Sequence, residues 1–225
     1  MCWNQDVSIN TFGFACLALL FIYITNKYTK YKTKTFDNPL VYLFLFAVAS
    51  MQLIEFFLWR NLNDKNINKN LSTMAAFLII IQELVLMFMI KNTNIRYILL
   101  LVYALFVIFV GLRQKANNFI TFNTFVGNNG HLSWEWMNHK KNETSYLFIW
   151  LLFYVLPLLL VKNDLLTLFV MLSMIITLIG YYKYNTFGTM WCWSSNLFLL
   201  YFIVDIILIK PYLEYNKVCC YNSII

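Results

Sequence analysis

Apolar side chains fall in seven long runs along the chain, at about 11–26, 39–59, 72–90, 95–112, 145–161, 164–182 and 188–209. An α-helix needs roughly 20 such residues to cross the hydrocarbon core of a bilayer, so each run is expected to be a membrane span. The fifth is short and contains Pro157. The sixth carries Ser173, Thr177 and Gly180, small or hydroxyl residues that let helices approach closely. The pattern predicts an all-α, polytopic integral membrane protein, with seven transmembrane helices in a single domain over 1–225.

Between the fourth and fifth runs lies the longest polar connection, 113–144. Two aromatic-rich stretches, 119–126 and 131–137, flank Gly127-Asn128-Asn129-Gly130, the pattern of a β-hairpin around a glycine-containing turn. The expected feature is an outer aromatic hairpin or flap. An amphipathic flap with Trp134 and Trp136 at the membrane interface is the alternative.

Charge sets the expected orientation. Lys27, Lys30, Lys32 and Lys34 follow the first run and nothing basic precedes it, which places the N-terminus outside or lumenal and the C-terminus in the cytosol. The sequons Asn70-Leu71-Ser72 and Asn142-Glu143-Thr144 then fall in outer loops, making Asn70 and Asn142 glycosylation candidates. Cys219 and Cys220 fall in a cytosolic tail, 210–225, where S-palmitoylation is expected.

Composition agrees with the pattern. Of 225 residues, 61% are hydrophobic and 12% charged, against about 25% charged in an ordinary soluble domain. The formal charge of +7 resides in the loops. With no basic face interleaved on a polar helix, the expected partner is the lipid bilayer and not nucleic acid. The N-terminal run continues into lysines as an uncleaved anchor does. The five cysteines include no CxxC or Cys/His spacing, so no metal site is expected.

Three acids lie inside runs: Glu55, Glu83 and Asp205. A charged side chain in a membrane helix costs about 2.5–3.5 kcal/mol on insertion scales, so these are the candidates for chemistry. Gln52, Glu55 and Trp59 share one helical face by their three- and four-residue offsets, and Gln82 precedes Glu83. At the expected depth of Glu55, the last run supplies Trp191, Cys192, Trp193, Ser195 and Asn196. The expectation is an outer polar pocket in which Ser195 and Asn196 donate to Glu55 under a roof of tryptophans. Arg60, five residues beyond Glu55, is turned about 140° away around a regular helix. Glu83 is the expected neighbour of Asp205 at the inner end. Cys2 and Cys192 are a disulfide candidate across the outer mouth. The alternative for all three acids is that they bond neighbouring helices together.

The two histidines, His131 and His139, lie in the outer connection, where they are expected to be solvated. Neither can ligate haem between helices, and no lysine inside the last run can carry retinal, so no cofactor is expected. The signature motifs of G-protein-coupled receptors are also missing after the third run and within the seventh.

Glu55-Phe56 in the second run and Asp205 in the last resemble the acids of the small seven-span terpene cyclases of fungal meroterpenoid pathways. Ile54 stands where that family tends to have Trp. The likeness implies an intramembrane enzyme acting on a lipid or isoprenoid. In length and style the chain also resembles uncharacterised seven-span proteins of large DNA viruses and protists, a likeness that implies no activity. Three classes of function follow as expectations. The first is handling of an ion, proton or small molecule through the carboxylate pocket, by transport, conduction or sensing. The second is enzymatic, with Glu55 or Asp205 as acid. The third is structural or assembly work.

Overall fold

A computed structural model describes residues 4–117, 122–137 and 144–222. The helices are α1 (Gln5–Tyr28), α2 (Pro39–Arg60), α3 (Lys65–Phe88), α4 (Thr93–Asn117), α5 (Thr144–Val161), α6 (Asp164–Tyr181), α7 (Phe187–Val204) and α8 (Lys210–Asn222). Between α4 and α5 run two short strands, β1 (Thr124–Val126) and β2 (Leu132–Trp134). Among the described residues, six helices are long and apolar enough to cross a membrane, and α5 is a shorter apolar helix.

Capping side chains set several helix starts. Asn4 accepts from Val7 N–H, Asn38 from Leu40 N–H ahead of Pro39, and Asp64 from Asn66 and Ile67 N–H. Each satisfies donors that the first turn leaves open, and Pro39 needs none. α2 is the central helix, packed on α1, α3 and α7. α4 is the outermost and exposes Tyr97, Ile98, Leu101, Leu105, Ile108 and Leu112, a face that suits lipid and not water.

The connection after α4 does contain a hairpin. β1 and β2 pair antiparallel, with Thr124 opposite Trp134 and Val126 opposite Leu132. Gly127 N–H donates to His131 C=O, Gly130 N–H to Gly127 C=O, and Gly130 holds φ at 78°, a conformation that favours glycine.

The hairpin does not lie loosely at an interface. Thr124 N–H donates to Asn68 Oδ1 (2.9 Å) and Asn68 Nδ2 donates to Thr124 C=O (2.8 Å), so an α3 side chain mimics a neighbouring strand. On the other side, Thr189 Oγ1 donates to Leu132 C=O, and Asn129 Nδ2 to Thr186 Oγ1. Trp134 is 2% exposed, which speaks for the hairpin and against the alternative of a flap with Trp134 at the bilayer surface. The hairpin therefore bridges the N-terminal ends of α3 and α7.

Two boundaries also change. The seventh run does not stop at 209: a π-helical turn, Asp205–Ile209, carries it into α8, so 210–222 is helix and not an unstructured tail. Asn70 is not in a loop but in the second turn of α3, and Ser72 of its sequon is buried with Oγ 2.7 Å from Thr124 Oγ1.

Candidate functional site

Glu55 and Glu83 are both inside the bundle, 3% and 0% exposed. Neither has a basic side chain in salt-bridge reach among the described residues. α2 brings Gln52 to Glu55 by its i, i+3 spacing. Thr11 of α1 stands 3.1 Å from the Gln52 amide oxygen, and Cys192 of α7 comes within electrostatic reach of the carboxyl. Among the described residues, Glu55 Oε1 and Gln52 Nε2 have no hydrogen-bond partner.

The rest of the expected roof is arranged differently. Ser195 Oγ donates to Cys192 C=O (2.8 Å) and Asn196 Nδ2 to Trp193 C=O (3.0 Å), so both donate on their own helix and not to Glu55, while Asn196 Oδ1 accepts no hydrogen bond among the described residues. Trp191 Nε1 donates to Ser173 Oγ of α6 (3.1 Å) and its ring meets Tyr154 edge-on. Trp59 packs half-buried against the core, and Trp193 is half-buried on α7. Arg60 lies over the Phe56 ring, away from Glu55 as a regular helix dictates.

Glu83 occupies a second polar site. It faces Tyr103 of α4 and Trp150 of α5, but neither Oε atom closes a hydrogen bond, and Tyr103 OH is likewise unpartnered. Beside it, Tyr154 OH donates to Gln82 Oε1 (2.8 Å), and Gln82 Nε2 donates to Ala47 C=O of α2 (3.2 Å). Beside Gln82, Tyr154 and Cys192 lies a cavity of about 30 Å³, which Ser173, Ser194 and Ser195 also line; its remaining wall is largely apolar, with Phe44, Val48 and Phe169, and neither carboxyl lines it. A water needs about 10–15 Å³ of such space and two to four polar partners. By volume the cavity is large enough for a water.

Asp205 is not the neighbour of Glu83. Its Oδ2 lies 2.9 Å from Lys210 Nζ. The π turn explains the pairing, because its i to i+5 hydrogen bond, from Lys210 N–H to Asp205 C=O, brings a residue five positions on back over the same face. The regular-helix rule that separates Arg60 from Glu55 fails here for that reason.

The remaining expected sites are as follows. Cys192 is a buried free thiol; Cys2, its expected partner, lies outside the described residues, as do Asn142 and His139. Cys219 and Cys220 fall within α8. His131 is buried and not solvated: it packs edge-on against Tyr181, and burial lowers its pKa from the ordinary histidine value. Sequence reasoning passed over Thr11, Tyr103, Trp150 and Tyr154. The legible signal was the pair Trp150 and Tyr154, four apart in an apolar run, which puts two hydrogen-bonding aromatics on one helical face.

The class defined by these features is a mostly helical protein with membrane-length apolar helices, a docked two-stranded hairpin and two buried carboxyl sites. No protein-family model, curated protein or solved structure shows a significant match to the chain.

Proposed function

We propose that this protein is a seven-span membrane protein that handles a small cation, in the first place a proton, through the polar core between Glu55 and Glu83. The observation that carries this reading is the pair of buried carboxyls without a basic partner among the described residues; Cys192, near Glu55, and the bonded pair Tyr154 and Gln82, beside Glu83, line one water-sized cavity. A buried carboxylate needs a countercharge, and a proton or alkali cation is the partner the bundle itself does not provide. Hydroxyl, thiol and amide groups in series can hold the waters through which a proton passes.

Cavity size supports a small cargo. Sites for organic ligands measure about 300–1,000 Å³, an order of magnitude above the space here. The volume of this cavity supports a proton or small ion over an isoprenoid as what it takes.

In the proposed arrangement α1–α7 all cross the bilayer with the N-terminus outside. The α1–α2 lysines support the orientation. α5 supports the seventh crossing, because it begins beyond the hairpin and is followed at its other end by Asn163, whose Nδ2 donates to Thr35 C=O in the α1–α2 connection. Its 18 residues reach about 27 Å at 1.5 Å per residue, close to the ~30 Å of a hydrocarbon core.

Flux in proteoliposomes tests the reading, with an internal pH dye under a proton gradient and a sodium dye under a sodium gradient. Glu55→Gln and Glu83→Gln keep the shape and remove the acid; each is expected to lower flux at least ten-fold while the fold survives. Wild-type flux in both amide variants would refute the proposal and leave helix bonding as the role of these groups.

A further inference from the structure

Away from the carboxyl sites, where the α1–α2 connection meets α8, a surface cavity of about 400 Å³ is lined by Lys30, Tyr31, Lys32, Lys210, Leu213 and Glu214. Three lysines and one glutamate line it, and two of the lysines are already paired with carboxylates. Lys30 is ion-paired with Glu214, which also accepts from Tyr31 OH at 2.8 Å. Lys210 Nζ is held between Asp205 Oδ2 (2.9 Å) and Lys32 C=O (3.0 Å). The Lys32 side chain is exposed, and among the described residues its ammonium has no partner. Two lysines are thus fixed as walls and a third is left to meet an anion.

The surroundings indicate what kind of anion. Ile207, Leu208 and Ile209 of the π turn, and Tyr212 and Leu213 of α8, are all exposed apolar residues beside this basic rim. A soluble anion has no use for such a surface, whereas a lipid has both a charged head and chains to lay on it. We propose that this cavity binds the phosphate of an anionic phospholipid. Lys32 is its direct ion-pair partner, Lys30 and Lys210 flank it, and the acyl chains run along the exposed face of the π turn and α8. Because Lys30 and Lys210 are already held, little side-chain entropy is lost on binding.

The test uses the full chain in nanodiscs of phosphatidylcholine doped with phosphatidylglycerol, with retained lipid counted by native mass spectrometry. Wild type is expected to retain phosphatidylglycerol over phosphatidylcholine, and Lys32→Gln to weaken that retention about five-fold, the effect of one ammonium near an anionic headgroup. Among the described residues Lys32 makes no side-chain bond, so this variant is expected to unfold at the wild-type temperature. Lys162→Gln is the control: Lys162 is exposed on the α5–α6 connection, tied to the same end of the bundle by Asn163 and Thr35 but outside the cavity. It is expected to leave retention unchanged. Equal losses in both variants would mean general surface charge and overturn the site. Displacement of the lipid by millimolar inorganic phosphate would assign the cavity to soluble phosphate and overturn the lipid.

Discussion

Trp134 of the hairpin lies so close to Gly188 of α7 that a Cβ on the glycine would come within 2.7 Å of Trp134 Cζ3. The indole cannot swing aside easily, being 2% exposed and stacked on Trp136 at 5.4 Å between centroids. Gly188→Ala is therefore expected to destabilise the protein by roughly 1–3 kcal/mol, the usual cost of overpacking. Thermal unfolding in detergent measures it. An unchanged Tm would show that the hairpin yields at no cost.

Asn68 predicts the strength of the opposite anchor. Its amide satisfies both backbone groups of Thr124 in a buried setting. Asn68→Ala strands that N–H and C=O, at about 1–3 kcal/mol for each buried group left unsatisfied. Faster hydrogen exchange confined to 122–137 is the expected signature, with α1 and α2 unaffected.

His131 makes hairpin docking sensitive to acid. Its folded-state pKa is lowered by burial, so below the ordinary value of about 6.5 the released hairpin binds more protons than the docked one. Stability contributed by the neutral imidazole is complete above that pH and is lost as pH falls toward the folded pKa. Hydrogen exchange of 122–137 should be constant above neutrality and accelerate in mild acid. His131→Asn should abolish the acceleration; if it persists, another group is responsible.

Tyr154 and Gln82 are expected to act as a unit. Tyr154→Phe removes the donor that Gln82 Oε1 accepts at 2.8 Å and is expected to cost roughly 1–3 kcal/mol through the stranded amide oxygen. Adding Gln82→Leu should recover part of that loss, since no buried acceptor then remains. The non-additivity, roughly 0.5–3 kcal/mol for partners in contact, is read from a double-mutant cycle in denaturant.

Apolar run length alone determined that this chain is helical and suited to a membrane, because the hydrophobic effect and the bilayer's thickness act on composition without reference to neighbours. The hairpin was legible too, from aromatic runs around Gly127 and Gly130, because turn chemistry is local. So was the inward placing of Gln52, Glu55, Gln82 and Glu83, since a polar group in an apolar run has few stable places other than the bundle interior. Partners were another matter. Ser195 and Asn196 bond their own helix; Glu83 faces Tyr103 and Trp150; His131, in the hairpin turn, is buried. Such pairings depend on how helices rotate against one another, which only the packing of the whole bundle decides. Asp205 and Lys210 show the limit most plainly: five residues apart, they are on different faces of an α-helix and on the same face of a π turn.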